Sequence, residues 1–439
     1  MTIFRRRVTM SIVSFAYLCG FLSQCSPGYA TDSDSASSLH GKMIVGYQGW
    51  FGCPGDFRGN KLWDHWSFKK PDSENLIVDL LPQTDEFNRQ DLCVTDWSRP
   101  DGSKMCLYSC LNGNIVDKHF QWMAQYGIDG AAFQRFIAEI AYPAGLERRD
   151  QILRNVRHAA EKSGCVFYIT YDISGANPAT VCDDITRDWQ HLVHGLKITD
   201  SPSYLKHHGK PVLQIWGFGF NDRPGEPEPV KQLLQGLKAG RNNLPAVTLI
   251  GGVPTCWRTL MGDSKRDSAW ADVYRTYDVI SPWTVNRFAD ELGADLFVKF
   301  MVSPDIAEAK RHGLEYMPVI FPGFSWYNLM HSNHRDDKAI FNRVPRVGGK
   351  FYYKQIHGLL GAHVNMLFAA MFDEVNEGTA IFKVETRAGQ FPRGAKLLYP
   401  KLDGADVPPD WYLRITGLAA RYLKSGKQPP EQLELTPGP

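Results

Sequence analysis

The chain has 439 residues, 43% of them hydrophobic and 22% charged, a balance that excludes wholesale disorder and supplies apolar surface for a large core. Its formal net charge is +2, and three cations, Arg5, Arg6 and Arg7, lie at the N-terminus, so the remainder is close to neutral. That balance excludes a polyanion-binding surface and gives a nucleic-acid role no electrostatic support.

Arg5 to Arg7 form a basic n-region. Met10 to Leu22 is an apolar run too short to span a bilayer comfortably, and Gly28-Tyr29-Ala30 offers small residues where a signal peptidase reads. Residues 1–30 are expected to be a signal peptide cleaved after Ala30, giving a secreted or periplasmic protein with no stable membrane span. A retained membrane anchor and lipid attachment at Cys25 are the competing readings, and Gln24 is too large for the position before a lipidated Cys.

Beyond this segment, short apolar runs alternate with helical patterns. Lys42 to Tyr47 is the first run. A long irregular segment follows, holding Cys53, Cys93, Cys106 and Cys110. In an exported chain these predict two disulfides within the segment, with the pairing open. Ile115 to Tyr126 is helical and precedes the second run, Gly127 to Phe133. Arg149 to Lys162 (helix) leads to Cys165–Asp172, where Cys165 reads as a small core residue. Asp183 to Leu196 (helix) leads to Pro211–Trp216, and Val230 to Ala239 (helix) to Ala246–Ile250. Tyr277–Trp283 is the sixth run. A helix within Ala289–His312 precedes Pro318–Phe321, and Phe351 to Leu360 precedes Met366–Phe372. Trp411 to Leu423 closes the pattern as a helix.

Eight continuous apolar runs suit strands buried on both faces, and eight units favour closure into a (β/α)8 TIM barrel, an α/β single domain over residues 31–425. A long Cys-containing loop follows the first strand, and residues 426–439 are expected to form a loosely ordered tail.

Barrel enzymes place their chemistry at the C-terminal ends of the strands. There the sequence offers Tyr47, Gln48 and Trp50, with His65 and Trp66 beyond them, then Gln134 and Arg135, Tyr171 and Asp172, Trp216, Trp283 and Arg287, Phe324 to Trp326, and finally Asp373, Glu374 and Glu377. Sugar rings stack apolar C–H faces on aromatics while their hydroxyls need polar partners, and this ring of residues supplies both. The sharpest signal is Met371 to Thr379, an apolar strand running into three carboxylates. Glycoside hydrolysis needs two carboxyl groups about one bond, one of them protonated, and crowding with burial raises a carboxyl pKa. A helical turn after the strand would put Glu374 and Glu377 on one face. The opposing reading is a solvated acidic loop or a helix start attracting acids.

Other motifs are weaker. Gly217-Phe218-Gly219-Phe220 lacks the third glycine of a dinucleotide fingerprint, and no Gly-x-Ser-x-Gly elbow is present. His331 and His334 lack a nearby set of acidic and Cys ligands, His207 and His208 are adjacent and cannot share a helix face, and the Cys spacing is not that of a zinc knuckle. No cofactor and no metal is expected.

Gly46 to Phe51, His65-Trp66, Trp122 to Gly130, Gln134 to Phe136, Gly209 to Pro211, Trp216-Gly217, Ser281 to Trp283 and Phe372 to Lys383 together resemble the glycoside hydrolase family 71/99-like proteins, related to endo-α-1,2-mannosidases and α-1,3-glucanases. Those mannosidases carry two glutamates in an Asn-Glu-Trp-His-Glu-Gly-Thr stretch on the last barrel strand. Glu374 and Glu377 match them, while Asp373, Val375 and Asn376 depart from the pattern. The resemblance implies a retaining mechanism with neighbouring-group participation. In it, Glu374 polarises the sugar 2-hydroxyl and Glu377 acts as acid, then base. The expectation is an exported, endo-acting glycosidase on an α-linked polysaccharide or glycan. Tyr47, Trp50, His65, Trp66, Gln134, Arg135, Tyr171, Asp172, Trp216, Trp283, Arg287, Trp326 and Asp373 would bind substrate. The alternative is a non-catalytic carbohydrate-binding protein on the same scaffold.

Overall fold

A computed structural model describes residues 36–436, so the expected signal segment 1–30 lies outside the described residues. Eight parallel staves close on themselves: Met43–Tyr47, Gly130–Phe136, Val166–Asp172, Lys210–Trp216, Thr248–Val253, Val279–Pro282, a seventh run from Glu315 to Ile320, and Leu367–Ala369. The seventh run makes the closure. Its first half, Glu315–Tyr316, pairs with the sixth stave, and its second half, Val319–Ile320, pairs with the eighth. The eighth then pairs with the first, with Met43 opposite Leu367. The fold is the (β/α)8 barrel that the alternating runs predict.

The staves are buried along both faces because helices cover the outside and side chains fill the inside. Interior positions follow the two-residue period of a strand: Ala132 and Gln134, Thr170, Gln214 and Trp216, and Ser281 and Trp283 all meet inside the barrel. Gly46 sits where the wall packs tightly against the last strand. A Cβ there would lie 2.2 Å from the Met371 sulfur. The expected last run Met366–Phe372 is regular only over Leu367–Ala369, and the chain then leaves the sheet towards the mouth. Among the described residues no helix is long and apolar enough to cross a membrane.

The same period sends the intervening residues outward, and this corrects three expected site residues. Tyr47 points at the helix Gly113–Tyr126, where its hydroxyl bonds His119 Nδ1 at 2.9 Å. Arg135 is fully buried between the helices Pro143–Ser163 and Val181–Gln190. Its guanidinium donates to Asp188 at 2.9 and 2.5 Å and to Asp150 at 3.1 Å. Tyr171 donates to the same Asp188 at 2.8 Å. These three hold the wall and do not reach the mouth.

The long loop after the first stave carries a hairpin, Leu92–Ser98 with Lys104–Tyr108, and one disulfide, Cys53–Cys93. The second expected disulfide is absent: Cys106 and Cys110 are free. In the hairpin register Cys93 faces Leu107, so Cys106, opposite Val94, is turned to the other face. Cys110 is buried beneath the first stave, its amide bonded to Phe51 O at 2.9 Å. The C-terminal residues lie against the helix Lys350–Gly361, with Pro430 O accepting from the Tyr353 hydroxyl at 2.7 Å.

Removing Arg135 would leave Asp150 and Asp188 buried beside an empty cavity. Arg135→Ala is expected to lose about 3–5 kcal/mol of stability, read as a fall in Tm and in the denaturant midpoint. A change under about 1 kcal/mol would mean the network is solvated and not structural.

Candidate active site

At the C-terminal mouth of the barrel lies a cleft of about 310 Å³. Its walls include Trp50, Gln134, Asp172, Trp216, Trp283, Arg287, Trp326, Glu374 and Glu377. Nine of the expected residues thus share one cavity although they come from seven different strand ends.

The floor is built by the turn after the first stave. Asp373 is fully buried and accepts from the amides of Gln48 and Gly49, both at 2.8 Å. Arg149, also buried, donates to Gln48 O at 2.9 Å, Gly49 O at 3.3 Å and Gln134 O. Gly49 has φ +55°, a left-handed conformation that favours glycine. This clamp aims the Gln48 side chain at the mouth, where Nε2 donates to Glu374 Oε2 at 3.0 Å. Asp373 therefore positions the site from below and does not line the cleft.

Glu374 and Glu377 are joined by a turn rather than by the helical turn that their spacing suggested. Glu374 Oε1 accepts from the amides of Asn376 and Glu377, at 2.8 and 3.2 Å. The Glu377 backbone is held in turn by Ser325, whose amide donates to Glu377 O at 2.8 Å. Burial, then the charges of Glu377 and Asp373, push the Glu374 carboxyl well above the usual carboxylate range. Burial and the nearby Asp172 raise Glu377 to about 7, with Arg223 opposing. Asp172 is itself raised by burial, although it accepts from Gln134 Nε2 at 2.7 Å and from the Ser174 amide at 2.8 Å. Above about pH 7 the two glutamates therefore hold one proton between them, on Glu374.

Aromatic rings make up much of the wall. Trp50 is stacked between Phe136 at 5.3 Å and His65 at 3.9 Å. His65 thus backs Trp50 and does not line the cleft. Burial and the neighbouring Arg148 and Arg149 lower its pKa to about 3, so it is neutral. Trp66 is wholly buried against Phe51, with Nε1 bonded to Tyr108 O at 2.9 Å, and belongs to the packing of the first loop. Trp216 and Trp283 meet edge to face at 5.5 Å. Arg287 is anchored to Asp263 at 2.7 Å and to Thr255 at 3.0 Å.

Several cleft residues lie outside those expected to bind substrate, among them Gln48 and Arg223. Gln48 is named beside Tyr47 and Trp50 at the first strand end but is given no role there. Arg223 lies in an Asp222-Arg223-Pro224-Gly225 turn that reads as an ordinary exposed loop. It packs over Trp216 at 5.3 Å, and its charge acts on both Glu377 and Asp172. Only its position after the fourth stave could have marked it.

No family model matches the sequence, and no curated protein matches it. Among solved structures, the fold is similar to the GH99 endo-alpha-mannosidase from Bacteroides thetaiotaomicron. The TM-score is 0.63 at 15% identity, covering 89% of this chain and 99% of that one. The complex of that enzyme with bis-tris-propane gives 0.61 at 16% identity over the same shares. At this identity the likeness is one of fold: the chain has the barrel architecture of the GH99 endo-alpha-mannosidase along nearly all of that protein's length.

Proposed function

We propose that the protein is an exported, retaining endo-glycosidase acting on an α-linked glycan, with Glu374 and Glu377 as its catalytic carboxyls. The observation that carries this reading is a pair of glutamates, Glu374 buried and Glu377 half-buried, set together in a tryptophan-lined cleft at the mouth of a barrel, where both carboxyls are pushed above their ordinary range. The Cys53–Cys93 disulfide supports an oxidising compartment.

Glu374 is the base. Burial keeps a proton on Glu374 in the free protein, and the three N–H bonds that its carboxyl accepts favour its charged form once a sugar hydroxyl approaches and the proton of the pair passes to Glu377. Glu374 takes the proton of the 2-hydroxyl as O2 attacks the anomeric carbon from behind. Glu377, whose proton is favoured by burial and then by Asp172, gives it to the departing glycosidic oxygen as the C1–O bond breaks. A 1,2-anhydro sugar results. Water then opens it at C1 and loses its proton to Glu377, while Glu374 returns its own to O2. Two inversions give net retention. Back-side attack requires O2 trans to the leaving oxygen, which among α-linked sugars selects the manno configuration.

The rings of Trp216, Trp283 and Trp326 offer apolar surface for sugars on either side of the cleaved bond, and Trp50, stacked between His65 and Phe136, offers its edge. Trp50 Nε1, Trp216 Nε1 and Gln48 Oε1 are buried without a protein partner among the described residues, two donors and one acceptor suited to sugar hydroxyls.

On α-mannan oligosaccharides with mass-spectrometric detection, Glu377→Gln and Glu374→Gln are each expected to lower kcat by about 10²–10⁴ with the fold intact. NMR of the native reaction should give the α-anomer first. Native activity retained in both variants, or a β-anomer first, rejects the assignment.

The acid limb of the kcat/KM profile is expected near pH 7, where the pair loses the first of its two protons, with a fall at higher pH as the second leaves. An acid limb near pH 4, the range of ordinary carboxylates, would show that neither group is perturbed.

Stability supplies an independent check. Glu377 is raised from 4.5 to about 7 in the folded state, so its stabilising protonation is complete below 4.5 and is lost as pH rises through 7. Glu377→Gln cannot ionise and should exceed the native protein at pH 8 by about 1–3 kcal/mol, with no difference near pH 4. Equal stability at pH 8 would remove the basis for the shift.

A further inference from the structure

At the end of the barrel opposite the cleft, three histidines surround one carboxylate. Glu315 opens the seventh stave. His207 and His208 lie in the tight turn that leads into the fourth stave, and His40 lies just ahead of the first. His207 Nε2 is 2.8 Å from Glu315 Oε2, His40 Nε2 is 3.1 Å from the same oxygen, and His208 Nε2 is 2.8 Å from Oε1. One nitrogen of His40, one of His207 and one oxygen of Glu315 all fall within 4.8 Å of each other. The adjacency of His207 and His208 spoke against a helical ligand pair, but this turn is not helical. His208 has φ +51°, and the two rings lie 3.9 Å apart around the same glutamate.

We propose that His40, His207 and Glu315 form a zinc site, with His208 steadying the second carboxylate oxygen. Two imidazoles and a carboxylate are a borderline-hard N2O set, which suits Zn²⁺ with water in the remaining position. Ligands about 2.0–2.1 Å from zinc lie roughly 3.3 Å apart in a tetrahedron, so the present nitrogen–oxygen distances need to open by only a few tenths of an ångström. His207 is almost fully buried and so presents its nitrogen in one direction, while His40 is exposed and can adjust. Beside them a cavity of about 420 Å³, lined by His40, Glu315, His363 and Lys310, gives the ion access and room for water.

The Leu39 amide now donates to His207 Nδ1 at 3.1 Å, which puts the His207 proton on Nε2. Ligation at Nε2 moves that proton to Nδ1, where Ser38 Oγ at 3.4 Å can accept it, and the Leu39 bond is given up. No proton is released from His207. The ion would then tie three chain segments together: the strap before the first stave, the turn before the fourth, and the start of the seventh. The site is structural, because every catalytic group lies at the other mouth.

The test uses tag-free protein, treated with EDTA and dialysed, titrated with ZnCl2 by calorimetry and followed by thermal melting. One Zn²⁺ per chain is expected to bind, with Tm rising by about 3 °C or more at a hundredfold excess over Kd. Both effects should disappear in His40→Ala, which alters an exposed residue, and in Glu315→Gln. Hydrolytic rate should be the same with and without zinc, so this site and the proposed catalysis fail independently. Absence of binding by the native protein, binding that survives in both variants, or activity lost with EDTA each overturns the proposal.

Discussion

The joint between Asp373 and the amides of Gln48 and Gly49 is the constraint on which the mouth of the barrel depends. The last and first staves must pair to close the sheet, and both lose regular hydrogen bonding as they reach the top. Orphaned amides at such a place cost free energy unless something accepts from them. Asp373 takes two of them, and the Arg149 guanidinium answers the carbonyls of the same turn. Because the seam is satisfied in this way, Gln48 points at Glu374 and the next two residues of the last strand enter the cleft as a fixed pair. A carboxylate that never meets the substrate thereby sets the geometry of those proposed to do so.

The arrangement carries an energetic penalty. Asp373, Glu374 and Glu377 are carboxyls in surroundings that disfavour charge, and burial is the largest influence on each. Hydrogen bonds lower the cost at Asp373, which is nonetheless raised to about 6, and they orient Glu374 without overcoming its burial. The penalty is tolerable because a wide aromatic cluster surrounds it and the Arg135 network locks the helices to the wall nearby. Cheaper solutions exist for folding, such as a solvated loop of acids, but they would leave no proton to donate at neutral pH.

The barrel was legible because its signal is redundant. Eight apolar runs separated by helical periods admit few other closures, and errors of two or three residues at each boundary leave the count unchanged. The site was legible only in part. Strand ends were read as blocks, whereas adjacent residues on a strand face opposite sides. Phasing from one interior residue separates them. Gln134 and Asp172 face the cleft, and Arg135 and Tyr171 face the helices. Tyr47 falls outward by the same count. His65, Trp66 and the cysteine pairing could not be phased, since they belong to a long loop whose course is set by tertiary contacts. Arg223 carried no local signal at all.

The departures from the mannosidase pattern bear on what the cleft accepts. Asn376 is buried and faces away from the cavity, donating to His65 O at 2.8 Å and Ile77 O at 3.0 Å. Val375 is wholly buried, and its carbonyl accepts from the Asp79 amide at 2.8 Å. Both residues thus stitch the loop after the first stave to the carboxylate turn. Asp79 extends the stitching: it accepts from the amides of Tyr327 and Asn328 at 2.7 and 2.8 Å, and so fixes the segment that presents Trp326. Residues 375 and 376 therefore act on the cleft through the placement of its walls, because the Val375 carbonyl and the Asn376 side-chain amide are spent on the loop.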